Sequence, residues 1–393
     1  MTTNYPGAYA ATEPDRPAQI MAATGAVTTY GQLHEAATQL ARLFRSAGLE
    51  PGDHIAFCME NNPRFLEVAW GAHYAGLYYT AISSRLLADE ASYIINDCGA
   101  RAYLSSMEKA DLAEAVLADT PAVELRLMLD GTIEGYDSYE EAVAAQSREP
   151  IEDDIVQGID MLYSSGTTGR PKGVKPPLPD APLGTPTAVA TLCLLLLGFE
   201  ESTVYLSPAP LYHAAPLRFS MAAQQIGGTV VVMERFDPEA ALAAIETYQV
   251  TASQWVPTMF VRMLKLPDEV RAGFDLSSLK MAVHAAAPCP TEVKRRMIEW
   301  WGPVIHEYYA GTEGNGFVYC NSEDWLAHPG SVGKAILGEL HIVAENGEEV
   351  PTGETGTIYF ASDAEFEYHN DPDKTAESRH SSGWSTLGDI GRL

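Results

Sequence analysis

Ser164-Ser165-Gly166-Thr167-Thr168-Gly169-Arg170-Pro171-Lys172-Gly173 follows directly on the apolar run Ile159 to Tyr163, which reads as a strand. Glycines let a backbone turn tightly and approach a ligand, and the serine and threonine hydroxyls beside them supply donors. Arg170 and Lys172 bring positive charge to the same few residues. The composition is that of a loop that cradles phosphate. It is not a GxxxxGK[ST] loop, because Gly166 and Gly169 are three apart and Lys172 is followed by Gly173. On composition alone, a mobile surface loop rich in Gly and Thr is the other reading.

On either side of this loop, helix-period and strand-like segments alternate. Thr29 and Gln32 have capping-box spacing, and Leu33, Ala37, Leu40, Phe44 and Ala47 recur at helical intervals until Gly48. Asp53 to Cys58 reads as a strand, and Asn62-Pro63 opens a second helix through Phe65, Val68, Ala69 and Ala72 to Gly76. Ile94 to Leu104 and Leu125 to Leu129 add short apolar segments, and the acidic stretch Glu140 to Asp154 reads as a connector. Beyond the loop, Gly173 to Gly184 is proline-rich and is expected to be irregular, and Ala188 to Phe199 reads as a buried helix too short to span a bilayer. Strands are expected at Thr229 to Met233, Ala252 to Val256 and Lys280 to Val283, with a helix capped by Asp237 and opened by Pro238. Leu340 to Ala344, Asn346-Gly347 and Gly356 to Ala361 read as strands around a tight turn. The pattern predicts an α/β protein with helices packed on mostly parallel sheets. The expected organisation is a first α/β lobe over 1–154, a second with the phosphate-binding loop over 155–328, and a small β-rich subdomain over 329–393.

A length of 393 residues gives room for two or three packed units, since single domains usually hold roughly 100 to 200 residues. With 46% hydrophobic and 20% charged residues, wholesale disorder is excluded. The 25 Lys and Arg stand against 53 Asp and Glu, a net charge of −28 that repels nucleic acid and acidic lipid surfaces. No nucleic-acid partner and at most peripheral membrane contact are expected. Cys58, Cys98, Cys193, Cys289 and Cys320 are odd in number and form no CxxC pair, so a reducing, cytoplasmic setting fits.

The loop resembles the signature loop of the adenylate-forming (AMP-binding) superfamily, which includes acyl-CoA synthetases, peptide-synthetase adenylation domains and luciferases. Tyr309-Ala310-Gly311-Thr312-Glu313 is similar to the family's Tyr-Gly-x-Thr-Glu, and Gly383-Trp384-Ser385-Thr386-Leu387-Gly388-Asp389 to its Gly-Trp…Thr-Gly-Asp segment. Thr29-Tyr30-Gly31, Pro51-Gly52-Asp53, Pro210-Leu211-Tyr212-His213 and Ala286-Ala287-Pro288 extend the resemblance over nearly the whole chain. Glu307 to Asn315 and Gly227-Gly228-Thr229 look most like fatty acyl-CoA synthetases.

The resemblance implies ATP, Mg²⁺ and coenzyme A as cofactor and cosubstrates, and a carboxylic acid, fatty or bulkier and lipid-derived, as substrate. Ser164, Ser165, Gly166, Thr167, Thr168, Gly169 and Lys172 would hold the β- and γ-phosphates, with Thr168 and Lys172 among the catalytic groups. Thr312 would bond the α-phosphate and Glu313 would help bind Mg²⁺. Adenine would lie between Tyr309 and the backbone at Ala286, Ala287 and Pro288, in a pocket completed by Tyr308, Ala310 and Gly311. Glu307 would accept from its exocyclic amine, and Asp389 would take the ribose hydroxyls. His213, Trp255, Ala287, Ala310 and Gly311 would border the acid; a structural histidine and a core tryptophan are the alternatives for His213 and Trp255, and a simple turn aspartate for Asp389.

Three positions depart from the family pattern. Ala310 stands where glycine is usual, with Tyr308 adding bulk beside it; Leu387 replaces a threonine; and Val174-Lys175-Pro176-Pro177 lacks a helix-opening Thr-His. The resemblance further implies a mobile C-terminal domain carrying a catalytic lysine, beyond Leu393. The expectation is therefore a piece of a longer ligase that binds ATP and acid but turns over poorly. Two alternatives stay open: a non-catalytic nucleotide- or acyl-binding protein, and amino-acid or aryl-acid adenylation on the same scaffold. Homodimer formation is left open as well.

Overall fold

A computed structural model describes residues 4–151, 156–164 and 170–393. Its residues group into two compact units, one of Met1–Pro171, Leu178–Gln254 and Leu266–Lys280, the other of Lys172–Pro177, Trp255–Lys265 and Met281–Leu393. Both are discontinuous in sequence, unlike the three consecutive segments of the sequence pattern. The cause lies in local pairing. The Lys172–Lys175 strand pairs with Glu367–Tyr368, and the Pro257–Leu264 helix packs on Thr291–Trp301, all within the second unit.

The first unit carries a six-stranded sheet in the spatial order Asp137–Ser138, Leu125–Leu129, Ala100–Ser106, His54–Cys58, Tyr78–Ala81, Ile159–Asp160. Every neighbouring pair is parallel. Parallel strands are buried on both faces and so read as continuous apolar runs. Ile55, Ala56, Phe57 and Cys58 are all inaccessible to solvent. In the same unit Val204–Ser207 runs parallel to Ala252–Trp255 on one side and Thr229–Val232 on the other, with Pro17–Met21 parallel beyond and Val27–Thr29 antiparallel at the edge.

The capping box at Thr29 is formed: its hydroxyl accepts from the Gln32 amide at 3.3 Å, and the Gln32 side-chain oxygen accepts from the Thr29 amide at 2.9 Å. The Tyr30–Ser46 helix it opens buries Leu33, Ala37, Leu40, Ala41 and Phe44. It packs on the Phe65–Ala75 helix, all of whose residues are buried and which stops at Gly76 in the left-handed region. A β-carbon at Gly71 would stand 2.6 Å from Leu40 Cδ2, so glycine sets how closely these helices approach.

Some segments differ from their sequence reading. Ile94 to Leu104 divides between the Ala88–Asp97 helix and the Ala100–Ser106 strand, separated by Gly99 at φ 67°. Ile159 to Tyr163 divides into Ile159–Asp160 and Leu162–Ser164. The expected connector begins as a helix, Tyr139–Ala144, and the proline-rich stretch begins as the Lys172–Lys175 strand. The Ala188–Leu195 helix is not wholly buried: Ala190 and Cys193 face inward, but Leu195 is 84% exposed. A helix apolar on every side, packed along one face only, leaves some of its leucines in water.

In the second unit Met281–His284 is parallel to Ile305–Tyr309, which is followed by antiparallel Phe317–Cys320 and Lys334–Leu337. Glu339–Val343, Gly356–Ala361 and Ser385–Gly391 form an antiparallel sheet of three, the β-rich end seen in the sequence. Among the described residues no helix is long and apolar enough to cross a membrane.

Candidate functional site

The second unit brings together most of the described candidate residues. Successive side chains of the Ile305–Tyr309 strand point to opposite faces. Tyr309 donates its hydroxyl proton to Asp389 Oδ2 at 2.9 Å, a bond that joins two motifs far apart in sequence. Burial first, and then the Asp389 carboxylate, push the Tyr309 phenol pKa well up, so it stays a neutral donor. Tyr308 turns the other way and stacks on Phe317, centroids 4.9 Å apart at 16°. Strand alternation puts its ring on the face opposite that of Tyr309.

After this strand the chain turns through Ala310, Gly311, Thr312 and Glu313, all half-buried. A β-carbon on Gly311 would lie 2.5 Å from Glu313 Oε2 and 2.6 Å from Leu387 Cδ2, so any larger residue there would push these side-chain ends aside. Leu387, the departure from threonine, is thus the wall against which this turn closes. Asn315 anchors the turn from behind, its buried amide donating to Ser385 Oγ at 3.1 Å.

Glu313 has a partner that the sequence did not signal. Tyr368, from the short Glu367–Tyr368 strand, donates to Glu313 Oε1 at 2.8 Å. Tyr368 lies opposite Val174 in register, and Lys172 Nζ stands 5.9 Å from its ring centroid. Carboxylate, phenol and ammonium therefore lie in one row. Among the described residues no three His, Cys, Asp or Glu side chains group as a metal cage. A single carboxylate suits Mg²⁺, which commonly takes one or two carboxylates and completes its shell with phosphate oxygens and water. Glu313 would hold it, with Tyr368 fixing the other oxygen.

Ala286, Ala287 and Pro288 are exposed at the end of the Met281–His284 strand, and Ala286 has φ 71°. Glu307 is buried, and its Oε2 accepts from Lys294 Nζ at 2.6 Å. Lys294 is completely buried, and sequence reasoning passed over it. The signal was there: Lys294 shares the inward stripe of the Thr291–Trp301 helix with Met297 and Ile298.

Ser165, Gly166, Thr167, Thr168 and Gly169 fall outside the described residues, between Ser164, which ends its strand, and Arg170, whose guanidinium sits 5.4 Å from the Tyr93 ring centroid in the first unit. His213, also in the first unit, is exposed at the start of the Ala214–Ile226 helix, its ring 4.5 Å from that of Tyr212. Trp255 is 1% exposed, packed edge-on against Trp301 at 5.3 Å and near Phe260. That burial is what the core reading of Trp255 expects.

Comparison with known proteins shows the family and the fold. The family described as AMP-binding enzyme matches residues 8–367. Feruloyl-CoA synthase of Amycolatopsis sp is 30% identical over 377 residues, 93% of this chain and 71% of that protein. The long-chain-fatty-acid–CoA ligase FadD13 of Mycobacterium tuberculosis is 26% identical over 399 residues, 98% of this chain and 75% of that protein. The inhibitor-bound N-terminal domain of FACL13 from Mycobacterium tuberculosis superposes with a TM-score of 0.83 at 25% identity, covering 99% of this chain and 97% of that one.

Proposed function

The chain belongs to the AMP-binding enzyme family, and from that premise we propose that it activates a carboxylic acid with ATP and passes the acyl group to coenzyme A. The two curated relatives compared above are acyl-CoA ligases, a class for which ATP and coenzyme A are cosubstrates. An oxygen of the acid attacks the α-phosphorus of ATP; the bond to the bridging oxygen breaks, and pyrophosphate leaves with the electron pair. The thiol of coenzyme A then attacks the acyl carbonyl, loses its proton, and expels AMP.

The observation that carries this reading is the row of Glu313, Tyr368 and Lys172 beside the Tyr309–Asp389 pair. Joining two anions needs neutralised charge and alignment more than covalent help. Lys172 supplies fixed positive charge, and Tyr368 holds Glu313 in one orientation. Mg²⁺ at Glu313 would neutralise charge on the phosphate oxygens. Asp389 would exchange its Tyr309 partner for ribose hydroxyls, freeing the Tyr309 ring to lie on adenine. Thr312 would bond the α-phosphate, and His213 would border the acid. The substrate class we favour is a fatty or bulkier lipid-derived acid, in keeping with the long-chain acids named for one relative; the aryl acid named for the other sets the contrast to test.

Acyl-sulfamoyl adenosines mimic the adenylate without reacting. Calorimetry with residues 1–393 over short, long, aromatic and steroid-derived acyl groups tests the proposal directly. At least one should bind about 100-fold or more tighter than AMP, as intermediate analogues do. A series in which none binds better than AMP overturns the reading.

A further inference from the structure

Lys294 is inaccessible to solvent, the one lysine or arginine buried among the described residues. An ammonium withdrawn from water and left unpaired is expensive, and one partner's loss exposes the other as an uncompensated charge. Here its partner is Glu307 Oε2 at 2.6 Å, and its remaining face lies over the Trp325 ring, 5.1 Å from the centroid. Among the described residues Glu307 Oε1 has no hydrogen-bond partner. One oxygen is thus fixed by the lysine, and the other remains able to accept a further donor. The strand ends two residues later at Tyr309, the proposed adenine platform.

The other titratable groups around Glu307 carry no charge near neutrality. His284, on the adjacent strand, has its Nε2 3.7 Å from Glu307 Oε2, beyond hydrogen-bond length, and neither ring nitrogen has a partner. Burial first, then Lys294 and His306, lower its pKa to about 3. His306, one residue before Glu307 on the opposite face, bonds the Tyr319 hydroxyl and is lowered to about 4, by burial and then Lys294. Burial pushes the Cys289 thiol to about 11, and raises that of Cys320, the register partner of Glu307. Burial also raises the Glu307 pKa, against which the charge and hydrogen bond of Lys294 work. Among the described residues Lys294 is therefore the charge that favours the carboxylate.

We propose that Lys294 is the positioning residue that keeps Glu307 an ionised, accept-only group, and so makes the site select a 6-amino purine over a 6-oxo purine. This rests on the adenine site proposed above. A carboxylate accepts from an exocyclic amine but meets the oxygen of a 6-oxo base with lone pairs on both sides; a protonated carboxyl donates to that oxygen instead. Hydrogen bonds to charged groups support discrimination of roughly 10- to 100-fold.

The test measures the affinities of ATP and inosine triphosphate for residues 1–393 from about pH 6 to about pH 8, where the neighbouring histidines and thiols do not titrate. In the unaltered chain the ATP preference should be roughly 10-fold or more and flat with pH. In Lys294→Met, Glu307 loses its counter-charge and its pKa rises further. The preference should fall by roughly 10-fold at the acidic end and return as pH climbs through the new pKa. The double variant Lys294→Met/Glu307→Gln replaces the whole pair with neutral groups, a change that buried pairs often tolerate. It should fold, show a weakened preference, and show no pH dependence, which guards against a single variant that does not fold. A flat, undiminished preference in Lys294→Met overturns the role of Lys294. An undiminished preference in Glu307→Gln as well overturns it one step earlier, because Glu307 then does not face the purine. Failure of both nucleotides to bind the unaltered chain overturns the nucleotide site itself.

Discussion

Ala286 is one of four non-glycine residues with positive φ among the described residues, the others being Asp130, Gln249 and Asn370. An L-residue in the left-handed region costs roughly 1–2 kcal/mol, because its β-carbon crowds the following carbonyl. The loop bearing this cost is the one proposed to lie along adenine, and such strain persists where the surroundings over-determine it. Replacing Ala286 by glycine relieves the crowding but raises the entropy of the unfolded chain, which returns part of the gain. The net expectation is a stabilisation of about 0.5–1 kcal/mol, read as a higher urea midpoint with an unchanged m-value. An unchanged midpoint would mean that the loop holds this conformation without strain. At this scale the sequence was legible where candidate residues sit close together in one motif. Thr312 and Glu313 lie within four residues of Tyr309, and Asp389 ends a motif of its own. It was not legible where a residue acts through a distant partner. Tyr368 reaches Glu313 only because two short strands pair, and Lys294 reaches Glu307 only because a helix folds back on its sheet.

Elements were read from period and punctuation, and that reading held where one face alone is apolar. The Tyr30–Ser46 helix shows the capping box, the inward leucines and the glycine stop that its sequence implies. Uniformly apolar segments carry no such information, since nothing in the run Ala188 to Phe199 says which face is covered. The structure separates these cases, and so does a pair of substitutions. Leu40 is wholly buried against Gly71, so Leu40→Ala should cost about 2–5 kcal/mol by leaving a cavity that tight helix packing cannot close. Leu195 is 84% exposed, so Leu195→Ser should change stability by no more than about 0.5 kcal/mol. Denaturant titration of both variants checks the contrast. A large loss at Leu195 would show that the face of this helix is covered in solution.

At the scale of the whole molecule, a charge of −28 opposes the approach of any triphosphate, while the groups proposed to hold it act only at short range. Lys172 is half-buried beside Tyr368, and Lys294, which holds Glu307 and not phosphate, is buried and already neutralised. Neither projects a field far into solvent. The Debye length is about 30 Å at roughly 0.01 M salt but about 8 Å at roughly 0.15 M. At low salt the nucleotide therefore meets the repulsion of the entire surface; at physiological salt it feels only nearby groups. Like charges associate faster when screened, so the association rate of a fluorescent ATP analogue should rise across that range, roughly 3- to 10-fold by stopped flow. The dissociation rate, set by short contacts that salt screens less, should change far less. An association rate that falls with added salt would place a local basic surface, rather than the net charge, in control of the approach. Because inosine triphosphate carries the same phosphates, its association rate should follow the same salt curve, leaving purine selection to the dissociation rate.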